Sequence, residues 1–171
     1  KRQGPYEENN PKSLVNGQFA PKLYRSWWPI PNWGLRDSNL SADFPTSAQM
    51  AINAYQFEFK QHVDGVILFS PVLIEHVLQV IGPITIAPYH EVITAQNLEE
   101  RLHYYQLDNR GIRKEELVEH VENPAAARKL FTADLARLMM DQVRHAPPDE
   151  LIAVAREMLH DLKTKDLQVY V

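Results

Sequence analysis

Six of the chain's twelve prolines fall within its first 45 residues, at Pro5, Pro11, Pro21, Pro29, Pro31 and Pro45. Each fixes its own φ and withdraws a backbone N–H, so neither a long helix nor a central strand passes through them. No hydrophobic period survives across this stretch, which predicts an irregular Trp/Pro-rich arm over residues 1–44. The regular structure is then expected from an α/β domain over 45–171. Trp27, Trp28, Ile30 and Trp33 are too apolar to leave in water. They fit aromatic staples holding the arm to the core, with a sugar- or lipid-facing platform as the alternative.

From Pro45 the pattern changes. Ala48, Ala51, Ile52, Tyr55 and Phe59 recur at helical spacing behind Pro45 and Thr46, which suit a first turn. Val66-Ile67-Leu68-Phe69 has the length and branching of a buried strand. Ser70-Pro71 then opens a short helix through Leu73, Val77 and Leu78. Gly82-Pro83 ends it, and Ile84-Thr85-Ile86-Ala87 gives a second strand, so 66–87 is expected to form a compact β-α-β unit, whether or not its two strands are neighbours. Val92-Ile93 suggests a further short strand, and Thr94 a cap for a helix carrying Leu98, Leu102 and Tyr105. The mixed-charge run Arg110 to Glu122 fits a solvated face.

A C-terminal helical pair is expected over 124–163. Asn123-Pro124 starts the first member, with Ala127, Leu130, Phe131, Leu135, Leu138 and Met139 on its stripe. Pro147-Pro148 breaks it. Leu151, Val154, Ala155, Met158, Leu159 and Leu162 form the second stripe, and Met139, Met140 and Met158 fit core filler. A final strand over 167–171 is still running at the last residue, and no initiator Met stands at Lys1. The chain is therefore expected to be a piece of a longer protein, and its fold part of a larger one.

Composition narrows the function classes. A net charge of -4, with no Lys/Arg run longer than two, argues against nucleic-acid binding. No run nears the ~18 apolar residues that a membrane helix needs. The absence of cysteine excludes thiolate metal sites and disulfides in this stretch. With six glycines and no Walker, dinucleotide, nucleophile-elbow or zincin pattern, the familiar phosphate and hydrolase motifs are missing.

The segment Leu35-Arg36-Asp37-Ser38-Asn39-Leu40-Ser41-Ala42-Asp43-Phe44-Pro45-Thr46 carries the candidate site. It lies just before a predicted helix, whose free N–H groups and dipole favour an anion. Arg36, Asn39 and Thr46 are the candidate ligand-binding residues, with Arg36 suited to a bidentate grip on phosphate or carboxylate. Asp37 and Asp43 are the candidate metal and catalytic carboxylates, able to hold a divalent cation beside that phosphate. The same residues fit a structural role: Asp43 or Thr46 caps the helix, and Arg36 pairs with Asp37 or Asp43 to fix the arm. His62 with Asp64 and His90 with Glu91 fit solvated turns. No two histidines share a helical face within one turn, as a zinc site would require.

Three ordered blocks carry a family resemblance: WGLRDSNLSADFPTSAQ (Trp33 to Gln49), VDGVILFSPVLIEHVLQVIGPITI (Val63 to Ile86) and VITAQNLEERL (Val92 to Leu102). They resemble the bacterial domain-of-unknown-function family four-zero-one-two, whose pattern runs close to LRDANWSPDFPTAA, DGVIAIDPTALAALLKLTGPV and VTAENV. Leu40 stands where that family usually has Trp, and Ser70 where it has Asp. The resemblance implies a membrane-anchored envelope protein with this region outside the cytoplasm, and further strands upstream. More distantly, the order Arg36-Asp37, Gly65 to Phe69, Ile81-Gly82-Pro83-Ile84 is similar to that of the LytR-CpsA-Psr phosphotransferases. That likeness implies that Arg36 clamps a polyprenyl pyrophosphate while Asp37 or Asp43 sits near Mg²⁺.

The expected fold is thus α/β: a small mixed sheet with packed helices beneath an irregular N-terminal arm. The expected function is a non-catalytic binding or scaffolding domain on the extracellular side of the bacterial membrane. Its partner would be an envelope glycan or polyprenyl-linked glycopolymer, with no cofactor. The alternative is a Mg²⁺-dependent glycopolymer or phosphoryl transferase acting through Arg36, Asp37 and Asp43. The sequence leaves open whether any reaction is catalysed, and the oligomeric state.

Overall fold

Asp43 starts the first long helix, α1 (Phe44–Phe59), by accepting the Thr46 N–H at 3.0 Å, with Pro45 in the first turn. The helix stops where Lys60 turns left-handed, at φ 57°. This computed structural model describes residues 20–27, 33–122, 124–127 and 129–171. Within them the fold is α/β, with small sheets, packed helices and an aromatic-rich N-terminal region. The chain divides into two units, Lys1–Ile67 with Gln168–Val171, and Leu68–Leu167.

In the first unit, α1 follows a short 3-10 turn at Leu35–Asp37. Its expected stripe is only partly covered: Ala48 is buried, whereas Ala51, Ile52, Tyr55 and Phe59 are half-exposed. A small satellite core forms from Ala20, Tyr24 and Trp33, with Leu40 and Met50 against it. The Trp33 ring lies parallel to Tyr24 at 6.3 Å, and Trp27 meets Tyr24 edge-on at 5.4 Å. Trp33 is therefore buried within this small cluster of the first unit, while Trp27 remains 56% exposed. Trp28 and Ile30 lie outside the described residues.

The remaining strands are β1 (Val66–Phe69), β2 (Ile84–Ile86), β3 (Glu91–Ile93) and β4 (Leu167–Tyr170). β1 pairs with β4, and β2 pairs antiparallel with β3 in the register Ile84 to Ile93. The two strands of the expected β-α-β unit thus belong to different sheets. β1 is not the buried strand its composition suggests, because Ile67 and Phe69 face outward, 66% and 53% exposed.

The second unit holds the main core. Helix α2 (Pro71–Ile81) begins after Ser70, but the serine hydroxyl does not cap it; it donates to Asp166 Oδ1 at 2.8 Å. Gly82, at φ 81°, ends the helix in a conformation that a side chain resists. Between β2 and β3 a 3-10 turn at Ala87–Tyr89 swings the Tyr89 ring inward. Thr94 and Asn97 exchange backbone and side-chain bonds to start α3 (Leu98–Leu107). Tyr105 stacks on Phe131 at 3.9 Å, and Tyr89 meets both rings edge-on. Leu78, Ile86, Ile93, Leu98 and Leu135 surround these three rings.

The charged run is a solvated face only in part, with Arg110, Arg113 and Glu122 exposed. It forms α4 (Asn109–Glu119), in which Gly111 and Glu115 are buried. Gly111 is required because a Cβ there would overlap the Tyr104 carbonyl oxygen of α3. The next expected helix is interrupted: a single turn, α5 (Pro124–Ala127), precedes α6 (Leu130–Arg144). Asn123 lies outside the described residues. Glu115 Oε1 accepts the Phe131 N–H at 2.8 Å, so a carboxyl group from α4 serves one of the free donors at the start of α6. Helix α7 (Pro148–Thr164) then packs against α2. Its expected core stripe is corrected: Val154 is buried, but Leu151, Met158, Leu159 and Leu162 are exposed. Met140 is likewise exposed and is no core filler.

Candidate functional site

The loop before α1 folds back on its own backbone. Asp37, buried, accepts the Gly34 N–H at 3.1 Å and the Arg36 Nε at 3.3 Å through the same oxygen, Oδ2. The Ser38 hydroxyl donates to the Leu35 carbonyl at 2.7 Å, and the Leu35 N–H donates to Glu58 Oε1 at 2.7 Å. Ser41 accepts the Asp43 N–H, and the Ser47 hydroxyl returns to the Ser41 carbonyl. Short polar side chains bonding nearby backbone are what Asp, Ser and Asn do best, and they close this loop as a clasp.

The candidate residues fall into two sets. Arg36 and Asp37 come together in the 3-10 turn. Asp43 and Thr46 come together at the α1 N-terminus, where Asp43 Oδ2 also accepts the Thr46 hydroxyl at 2.5 Å. That hydroxyl and the Thr46 N–H hold the Asp43 carboxyl below its usual range. Asn39 is exposed. The Arg36 side chain is 37% exposed, so its guanidinium still reaches solvent while Nε is engaged. The expected structural pairing of Arg36 with Asp37, and capping by Asp43, are both present.

Sequence reading missed Glu58. It sits in the last turn of α1, carries no local motif, and reaches the loop only because the helix passes beside it. Burial raises its pKa, against the pull of the Leu35 N–H and the Arg36 charge, and its second oxygen has no partner among the described residues.

The second unit carries its own buried polar groups. Burial pushes Glu115 up to about 8, with the Glu119 charge adding to the rise and the Phe131 N–H opposing it. Glu119 accepts the Tyr89 hydroxyl at 3.0 Å. Burial also opposes ionisation of Glu91, but bonds from the Tyr105 hydroxyl at 2.8 Å and Lys114 at 3.1 Å outweigh it and hold the group below its usual range. Sequence singled out neither Glu115 nor Glu119, whose partners come from distant elements, and Glu91, expected with His90 in a solvated turn, instead stands in β3 with its carboxylate held by Tyr105 and Lys114. His62 and Asp64 lie 3.6 Å apart and fully in solvent, and His90 occupies a left-handed turn.

Among the described residues, no group of three or more His, Asp or Glu side chains is arranged to hold a metal ion. No helix among them is long and apolar enough to cross a membrane. Surface depressions occur on α4, around Arg113, Leu117 and His120, and on α1, around Asn53, Phe57 and Lys60; neither is lined by Arg36, Asp37 or Asp43. Among known proteins, no curated protein and no solved structure matches the chain, so no relative supports the likeness to LytR-CpsA-Psr enzymes. A family model does match, over residues 7–106: the one described as "Protein of unknown function (DUF4012)".

Proposed function

The chain belongs to the DUF4012 family, and from that membership we propose a non-catalytic binding or scaffolding domain on the extracellular side of a bacterial membrane-anchored envelope protein. The observation that carries the reading is the use to which the loop puts its two aspartates. Asp37 Oδ2 is buried on Gly34 and Arg36, and Asp43 Oδ2 holds Thr46 at a helix end. One oxygen of each carboxylate is thereby turned toward the chain, and this use of the pair in closing the loop supports a structural role for both. Trp27 supports an envelope glycan as the ligand, because it offers a half-exposed aromatic face on which a sugar ring packs.

The second reading, a Mg²⁺-dependent transferase acting on a polyprenyl pyrophosphate-linked glycopolymer, draws on a different observation. Arg36 keeps part of its guanidinium in solvent, and Asp43 and Thr46 stand exposed at the N-terminus of a 16-residue helix. There Arg36, Asn39 and Thr46 would meet the pyrophosphate, with Asp37 and Asp43 beside the cation.

A thermal-shift titration separates the two. Short-chain polyprenyl pyrophosphate with Mg²⁺ at about 100 times a dissociation constant adds roughly 2.7 kcal/mol to a binder. The scaffolding reading expects no Mg²⁺-dependent shift, in this chain or in an N-terminally extended one. A Mg²⁺-dependent shift that disappears in Arg36→Ala replaces that reading with the transferase. Binding of soluble peptidoglycan fragments, measured by calorimetry and lost in Trp27→Ala, is the positive result expected for the glycan ligand.

A further inference from the structure

Helix α7 is amphipathic in two directions. Its inward side, Val154 and Asp161, is buried, with Glu150 and Glu157 half-covered on the same side. Its outward side carries Leu151, Ala155, Met158 and Leu162, all exposed, at the alternating four- and three-residue spacing of a coiled-coil seam. Ile152 and Leu159, 54% and 60% exposed, widen that seam along one flank. A solvated helix face has no reason to keep six apolar residues in register, and a seam of this spacing fits another helix.

We infer that this face of α7 pairs antiparallel with α7 of a second copy of the chain, forming a two-fold homodimer. The pattern is its own complement. Turning the helix end over end brings Leu151 opposite Leu162 of the other copy and Ala155 opposite Met158. Two small-against-large layers therefore repeat on either side of the axis. The charges invert with the same operation. Asp149 stands exposed in the first turn and Lys163 in the last, so each acidic end meets the basic end of its counterpart. Asp149 and Lys163 lie on the flank of Ile152 and Leu159, where such a pair frames the apolar seam. Antiparallel packing also sets the two helix dipoles in opposition. A parallel pair would juxtapose like charges at both ends.

The helix is 17 residues, or ~25 Å at the usual rise, long enough for about two heptads of contact. An interface of one such helix pair falls at the small end of specific interfaces, so the dimer is expected to dissociate in the micromolar range.

Sedimentation velocity over a concentration series tests this. The expected result is a monomer-dimer equilibrium that Leu159→Glu shifts toward monomer by more than ~100-fold, since a charged group replaces an apolar one at the edge of the seam in both copies. Circular dichroism should stay as in the parent, and so should the melting temperature at concentrations where the parent is monomeric, because Leu159 faces solvent within one copy. Orientation is read by cysteines placed in this cysteine-free chain. Within one copy, positions 149 and 163 lie ~21 Å apart along the helix and cannot be bridged. Asp149→Cys combined with Lys163→Cys should therefore oxidise to a covalent dimer, and Asp149→Cys alone should not. A chain that stays monomeric to ~0.5 mM overturns the proposal and assigns the face to a different occupant. A dimer indifferent to Leu159→Glu, or one bridged by Asp149→Cys alone, overturns it as well.

Discussion

Asp161 on α7 is fully buried, with Oδ1 2.8 Å from Nδ1 of His76 on α2. The contact lies within the packing of α7 on α2, where a polar group that enters the interior needs a partner. With Asp161 turned inward, Val154 follows it, and the Leu151, Met158 and Leu162 side of the helix is turned out.

Removing the partner should expose the cost of that burial. His76→Ala leaves the Asp161 carboxylate without its ring nitrogen, and Asp161 Oδ2 already lacks a partner among the described residues. Urea denaturation is expected to show a loss of about 3 kcal/mol, the low end for breaking a buried pair, since His76 is itself partly solvated. Asp161→Leu, which removes the charge and keeps the bulk, should cost less than His76→Ala.

Glu115 should make the chain less stable in mild alkali. Its folded pKa is raised to about 8 from an ordinary value of 4.5, so the folded state holds a proton that the unfolded state has released. The stabilisation is therefore complete below pH 4.5 and is lost as the pH climbs through 8. Melting temperatures from pH 5 to 9 should fall on this account, and in Glu115→Gln this part of the fall should vanish. The amide keeps an acceptor for the Phe131 N–H, so the variant should remain folded. Over the whole window the effect is on the order of a few kcal/mol.

The acid limb has the opposite sign at Asp43. Bonds from Thr46 depress its pKa, so its contribution is present above the ordinary 3.8 and is lost as the pH falls through the folded value. Asp43→Ala should lower the melting temperature at neutral pH and have progressively less effect in acid. Asp43→Ser, which keeps a capping oxygen, should recover most of the loss.

Gly111 tests the close approach of α3 and α4. A methyl group there overlaps the Tyr104 carbonyl oxygen, a backbone atom that cannot rotate away. Gly111→Ala should destabilise by about 2 kcal/mol, although alanine is the better helix former. A stabilised variant in equilibrium denaturation would contradict the packing described for these helices.

The sequence by itself determined the elements and their chemistry of starting and stopping. Pro45, Pro71 and Pro148 opened helices, Gly82 closed one, and Asp43 capped α1, because such residues act on the backbone within a few positions of themselves. The family was legible for a related reason: the blocks around Arg36-Asp37 and Gly65 are local strings. Local too was the pairing of Arg36 with its neighbour. Tertiary structure alone decided which side of each element meets another. Both sides of α7 carry apolar residues, so periodicity could not choose between them, and the packing on α2, where Asp161 meets His76, did. Glu58 reached Leu35, and Glu115 reached Phe131, across separations that leave no trace in composition. Burial of those carboxylates, and exposure of Ile67, Phe69 and Leu159, follow from how many layers pack on each element. That number is a property of the assembled chain, because each layer is contributed by residues far away in sequence.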